Sequence, residues 1–211
     1  MAPKSGPDPS GSWTRSTGTV NFARGSPLCG ISLAFLIDGR PQLAILDFPF
    51  MAERYVAIEG AGAFLNGRPV HCAAVQSLPE AVIGLSDSPS GTTPPTENPL
   101  HLALIKSLAR AALRVRLHGS EALDLAWTAA GRLGGTIMLS NLPWDVSGGV
   151  LLVREAGGVV LDIDGSRHTP ASRCSLACTR TLQQPLELLA HIPEAAAYIS
   201  GLTRARTDQS P

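Results

Sequence analysis

Pro143-Trp144-Asp145-Val146-Ser147-Gly148-Gly149, running through Leu151-Leu152-Val153 to Glu155-Ala156-Gly157-Gly158, is the stretch that decides the fold. Small and apolar residues at helical spacing follow one acidic side chain, and a glycine pair closes the run. The spacing fits a helix with Asp145 at its mouth. From there the carboxylate can cap the first turn through N–H bonds, or it can ligate a metal. Ser147-Gly148-Gly149 allows either a ligand or a second helix to approach closely. Glu155 reads as a helix-end contact, and Gly157-Gly158 as the C-terminal turn.

Working outward, Gly119-Ser120 opens an earlier helix with Ser120 as its N-cap, Ala122, Ala126, Ala129, Ala130 and Leu133 as its stripe, and Gly134-Gly135 at its end. Val159–Ile163 follows as a strand. On the N-terminal side, Leu28–Ile37 and Gln42–Asp47 read as strands joined at Asp38-Gly39, a two-residue hairpin signal. A third strand falls near Arg54–Glu59, and Gly60, Gly62 and Gly67 punctuate a turn-rich segment. Val82–Leu85 is a short strand before a Ser/Thr/Pro loop over Ser86–Pro99, Leu100–Leu113 is helical, and Val115–Leu117 is a strand. One or two helices over Leu182–Ile199 end the fold. The resulting division is a disordered leader (1–13), an antiparallel sheet half (14–85), an α/β half (86–202) and a disordered tail (203–211).

The 211 residues carry 17 Lys+Arg and 17 Asp+Glu. That balance leaves no field to attract nucleic acid or an anionic membrane. The apolar runs are shorter than the ~18 residues a spanning helix needs. The opening thirteen residues have no signal-peptide core, which points to the cytoplasm. Cys29, Cys72, Cys174 and Cys178 are scattered and read as buried free thiols. The five histidines show no ligand or triad spacing and read as surface or satisfied residues. Asp47 suits a turn, Asp124 a structural helix position, and Asp162 and Asp164 a strand and its turn.

Four segments in order resemble the inositol monophosphatase family. They are Gly18-Thr19-Val20-Asn21-Phe22-Ala23-Arg24-Gly25, Gly62-Ala63-Phe64-Leu65-Asn66-Gly67-Arg68-Pro69, Gly119-Ser120 with Leu123-Asp124-Leu125 and Ala130-Gly131-Arg132, and Trp144-Asp145 through Gly158. The likeness runs from about Gly18 to Ala190. It implies a layered α-β-α-β-α sandwich, here without its N-terminal helices, and often a homodimer. It also implies Mg²⁺-dependent hydrolysis of small phosphorylated polyols. The same resemblance assigns Gly18, Thr19, Gly119, Ser120 and Glu121 to the substrate and Asp145 to the metal. It leaves open whether the polyol is an inositol phosphate, histidinol phosphate, fructose bisphosphate or adenosine bisphosphate.

Against that pattern the chain departs at the charged positions. The family's Asp-Pro-Ile/Leu-Asp-Gly-Thr aligns with Thr14-Arg15-Ser16-Thr17-Gly18-Thr19, so two aspartates become threonines. Neutral hydroxyls supply none of the charge a hard cation needs, and Arg15 adds a positive one. The leader holds no counterpart of the family's Glu-Glu element. Met138 and Gly134 stand where acidic residues are common. An alternative register through Asp8-Pro9-Ser10-Gly11 still lacks the second aspartate. Three readings follow: an active Mg²⁺ phosphatase, an inactive relative that binds phosphate or dimerises, and a shortened product with an exposed apolar face.

Overall fold

The computed structural model describes residues 10–87, 99–139 and 142–190. Its first sheet is an antiparallel meander of six strands in sequence order: β1 (Ser10–Thr17), β2 (Gly30–Ile37), β3 (Arg40–Phe48), β4 (Glu53–Ile58), β5 (Gly62–Leu65) and β6 (Arg68–Pro69). Asp38 (φ 49°) and Gly39 (φ 72°) join β2 to β3, and Asn66 (φ 49°) and Gly67 (φ 78°) join β5 to β6. Paired positive φ values mark the turn type whose twist matches that of flanking strands. A short helix, α1 (Thr19–Ala23), links β1 to β2.

The second sheet is mixed. Its five strands run in the order β10 (Val159–Leu161), β11 (Ser175–Cys178), β9 (Gly135–Met138), β7 (Val82–Leu85) and β8 (Arg114–Arg116), with β7 parallel to both β8 and β9. Helices α3 (Glu121–Ala129) and α4 (Pro143–Glu155) lie between the sheets. They share one apolar cluster with Leu46, Phe48 and Tyr55 of the first sheet and with Met138, Val160 and Ala177 of the second. Helices α2 (Pro99–Ala111) and α5 (Gln183–Ala190) cover the far face of the second sheet, burying Leu100, Leu104, Leu108 and Leu186 against Ile83, Leu85 and Ile137. The layers are therefore β-α-β-α. On the outer face of the first sheet Ile31, Phe35, Ile37 and Ile58 remain 40–49% exposed.

Two glycines set the spacing of the middle layer. A Cβ on Gly149 would lie 2.4 Å from Leu125 Cδ1, so α3 and α4 approach closely there. A Cβ on Gly148 would meet Leu46 Cδ1 at 3.1 Å and Ser32 Oγ at 3.3 Å. Tight packing accounts for both. Glu155 accepts from the N–H of Gly60 at 3.0 Å and of Gly62 at 2.8 Å, tying the end of α4 to the β4–β5 turn. The positive-φ Gly157 (85°) follows as the chain turns out of α4.

Several sequence expectations change. Of the leader expected over 1–13, residues 10–13 belong to β1, whose eight residues all pair with β2 from Ser10↔Ile37 to Thr17↔Gly30, and residues 1–9 lie outside the described residues. Gly134-Gly135 does not end α3, which stops at Ala129. Gly135 instead opens β9, where a Cβ would meet Cys178 Cβ at 2.7 Å. The strand expected over Val159–Ile163, β10, closes at Leu161, and β11 (Ser175–Cys178) follows as a further strand that is not among the sequence expectations. Most of the Ser86–Pro99 loop, the helix beyond Ala190 and the tail from 203 lie outside the described residues.

Candidate functional site

The β1–α1 bend and the turn into α3 bring together Gly18-Thr19 and Gly119-Ser120-Glu121 of the sequence-predicted residues. Gly18 occupies the left-handed region (φ 68°) between β1 and α1, and a Cβ there would come within 2.5 Å of Leu28 O. Only glycine fits this bend. Thr19 begins α1 and is exposed. Gly119 (φ 70°) and Ser120 precede α3, and the Ser120 hydroxyl accepts from Leu123 N at 3.4 Å, the expected N-cap. Glu121 is half-buried in the first turn of α3.

The side chains of Thr17 and Asn21 join these pieces. The Thr17 and Ser120 hydroxyls lie 2.9 Å apart and are buried. Asn21 donates from Nδ2 to Leu28 O (2.9 Å) and to His118 O (2.7 Å). Asn21 and Asp87 side chains both crowd Gly119, whose Cβ would meet Asn21 Nδ2 at 3.1 Å and Asp87 Oδ2 at 3.2 Å. The Gly18-Thr19 bend and the Gly119-Ser120 turn are thus clamped together. First-turn amides of a helix have no intrahelical acceptor, so main-chain donors accompany the hydroxyls at this junction.

Asp145 stands elsewhere in its helix than a cap would. Leu142 is the N-cap of α4 with Pro143 leading the first turn, and Asp145 follows inside that turn. Its own N–H donates to Leu142 O at 2.8 Å. The carboxylate is half-buried and lies near the positive end of the helix dipole. Helix α4 packs on both β1 and α3.

A second acid lies in the neighbouring helix. Asp124 is fully buried in α3, and its Oδ1 lies 2.5 Å from His118 Nδ1. Burial pushes the Asp124 carboxyl above its ordinary range, against the opposing pull of His118. The His118 ring also meets Trp127 edge-on at 4.9 Å. Trp127 in turn lies under Arg132 and reaches Glu53, which pairs with Arg132 at 2.7 Å and accepts from Tyr55 OH at 2.7 Å. Of the histidines read as surface or satisfied, His101 and His168 are buried. The thiols are free, with three buried and Cys72 partly so. Asp47 forms a two-pronged pair with Arg54 (3.0 and 3.2 Å), while Asp162 and Asp164 accept from nearby main-chain N–H groups.

The Mg²⁺ implied by the resemblance finds a poor donor set. No group of three or more His, Cys, Asp or Glu side chains among the described residues could hold a metal ion. Thr17, at the position of a family aspartate, directs its hydroxyl to Ser120. The described residues do not supply the several charged oxygens that the cation takes in an octahedron.

Comparison with known proteins follows the same lines. The inositol monophosphatase family profile matches residues 17–197. The chain is 40% identical over 182 residues to the probable inositol 1-monophosphatase ImpA of Mycobacterium tuberculosis, covering 86% of this chain and 67% of that one. It is 37% identical over 160 residues to inositol-1-monophosphatase ImpA of Mycolicibacterium smegmatis, covering 76% and 58%. The second relative is thus spanned for less than two thirds of its length. Among solved structures, inositol monophosphatase from Anabaena superposes with a TM-score of 0.82 at 30% identity, over 90% of this chain and 75% of that one. With its profile spanning most of the sequence, this chain belongs to the inositol monophosphatase family.

Proposed function

We propose that this chain binds a small phosphorylated polyol at the junction of Gly18-Thr19 with Gly119-Ser120-Glu121, without the metal-dependent hydrolysis of its family. The 2.9 Å contact between Thr17 and Ser120 carries the reading. Where the family pattern has an aspartate, the threonine is a neutral hydroxyl partner that helps brace the turn beside the candidate substrate residues. Asp145 then acts as a first-turn acid that favours the helix start. Hydrolysis would require neutralising a phosphate dianion while generating hydroxide near neutral pH, and one retained carboxylate supplies little of that charge.

The reading includes a cytoplasmic setting, supported by the four free thiols, and a homodimer. Exposed Ile31, Phe35, Ile37 and Ile58 support association through the first sheet. The same residues favour a second reading, in which the chain is stable only when further helices cover that face. Sedimentation velocity with a thermal melt separates the two, as a dimer stays soluble and melts cooperatively whereas an uncovered face aggregates.

The binding claim is tested by calorimetric titration with inositol 1-phosphate in chelator and again with Mg²⁺. Similar affinities are expected. Binding that appears only with Mg²⁺, or no binding under either condition, would overturn it.

A further inference from the structure

At the opposite end of the first sheet lies a basic cavity that the phosphomonoester reading leaves unused. Its volume is about 300 Å³, and Arg40, Glu59, Leu151, Arg154, Arg167 and His168 line it. These residues come from the β2–β3 hairpin, the end of β4, the last turns of α4 and the segment after β10. The site is remote from the first. Strand β2 alone spans about 24 Å between Gly30 and Ile37, and Arg154 lies about 14 Å along α4 from Asp145.

The charges in this cavity are unbalanced. Three arginines face one glutamate, and among the described residues none of the three makes an ion pair within 4.0 Å. Arg154 is half-buried and donates from Nη2 to His168 O at 2.9 Å, which fixes the guanidinium at the cavity wall. Burial and the neighbouring Arg167 both disfavour its charge, and Glu59 opposes them only in part. A half-buried guanidinium beside a second arginine is unfavourable unless an anion joins them, and the exposed Arg40 adds a third positive charge to the lining.

Guanidinium groups offer planar, paired N–H donors that match phosphate oxygens. The formal excess of two positive charges (three arginines less one glutamate) offsets the two negative charges of a phosphate dianion. The volume falls at the lower end of small-molecule sites, roughly 300–1,000 Å³, which suits a small phosphomonoester better than a nucleotide. We propose that this cavity is a second anion site, binding the dianionic phosphate of a small phosphomonoester between Arg40, Arg154 and Arg167.

The test is an ¹⁵N NMR titration of the whole chain with inorganic phosphate, beside acetate at matched ionic strength. Saturable shifts at Gly39, Arg40, Arg167 and Thr169 are expected with phosphate and not with acetate. The double variant R40Q/R167Q alters two exposed side chains, and its thermal melt checks folding. It should weaken these shifts by about tenfold or more, as loss of charge-assisted hydrogen bonds implies, while responses at Gly18, Thr19 and Gly119 persist. Equal response to acetate, no saturation, or undiminished affinity in the folded double variant would overturn the proposal. Shifts confined to the Arg40–Arg167 region would retain it and count against the polyol site. Shifts confined to Gly18 and Gly119 would do the reverse.

Discussion

Thr17 and Ser120 are 103 residues apart in sequence, and their buried hydroxyls are 2.9 Å apart in space. One ends the first strand and the other caps α3, so this contact closes the junction between the sheet and the middle helix layer. Thr17→Val should cost about 1 kcal/mol by removing one hydrogen bond, and Thr17→Ser should retain most of it. Urea midpoints at constant m-value measure the difference. A valine variant as stable as the parent would show the contact to be energetically idle.

The Asp124–His118 pair should matter more. His118→Ala leaves a buried carboxyl without its partner and is expected to cost about 3 kcal/mol. Asp124→Asn should cost less, because a neutral amide is cheaper to bury. The Asp124 carboxyl titrates above its ordinary range in the fold. Between its unfolded and folded pKa values the native state holds more protons, so this group's contribution to stability falls as pH rises through that window. His118→Ala removes the opposing pull and should widen the window. Denaturant melts from pH 4 to 8 test this, and identical pH profiles for parent and variant would contradict it.

His168 gives the opposite sign. Burial, aided by Arg154, lowers its pKa from 6.5 to about 4. Between those values the unfolded chain binds the extra proton, so stability rises with pH and is lost as pH falls from 6.5 toward 4. The loss is of order 3 kcal/mol at most. His168→Gln, neutral throughout, should flatten this slope in a melting series across that range. An unchanged slope would place the acid sensitivity elsewhere.

Helix spacing yields a paired comparison. Gly149→Ala drives a methyl into Leu125 at 2.4 Å, whereas Gly148→Ala meets its nearest neighbour at 3.1 Å. The first should destabilise by roughly 1–3 kcal/mol, as overpacked cores do. The second should cost less. Equal melting temperatures for the two variants would contradict this account of the close α3–α4 approach.

Local signals in the sequence carried much of the fold. Asp38-Gly39 marked its hairpin because two positive φ values demand such residues, and Ser120 marked its helix start because a hydroxyl there meets a free N–H. Long-range pairing was harder to read. Ser10–Thr17 is poor in apolar residues and is a strand because β2 supplies its partners. Gly134-Gly135 looked like a helix stop, but close packing against Ala81, Leu182 and Cys178 demands the glycines. At Asp145, the proline two residues earlier was the missed clue, since proline favours the first helical position and shifts the cap to Leu142. His118 and Asp124 meet across a cap and a helical turn, a juxtaposition outside the i,i+3 and i,i+4 spacings of a continuous helix.

The central claim is that the phosphate-binding frame persists where the metal chemistry does not. Phosphate release from inositol 1-phosphate, measured over a range of Mg²⁺ with the parent and Asp145→Asn, tests it most directly. The account predicts no Mg²⁺-dependent turnover above the uncatalysed rate in either protein. Saturable Mg²⁺-dependent release by the parent, abolished in Asp145→Asn, would contradict it.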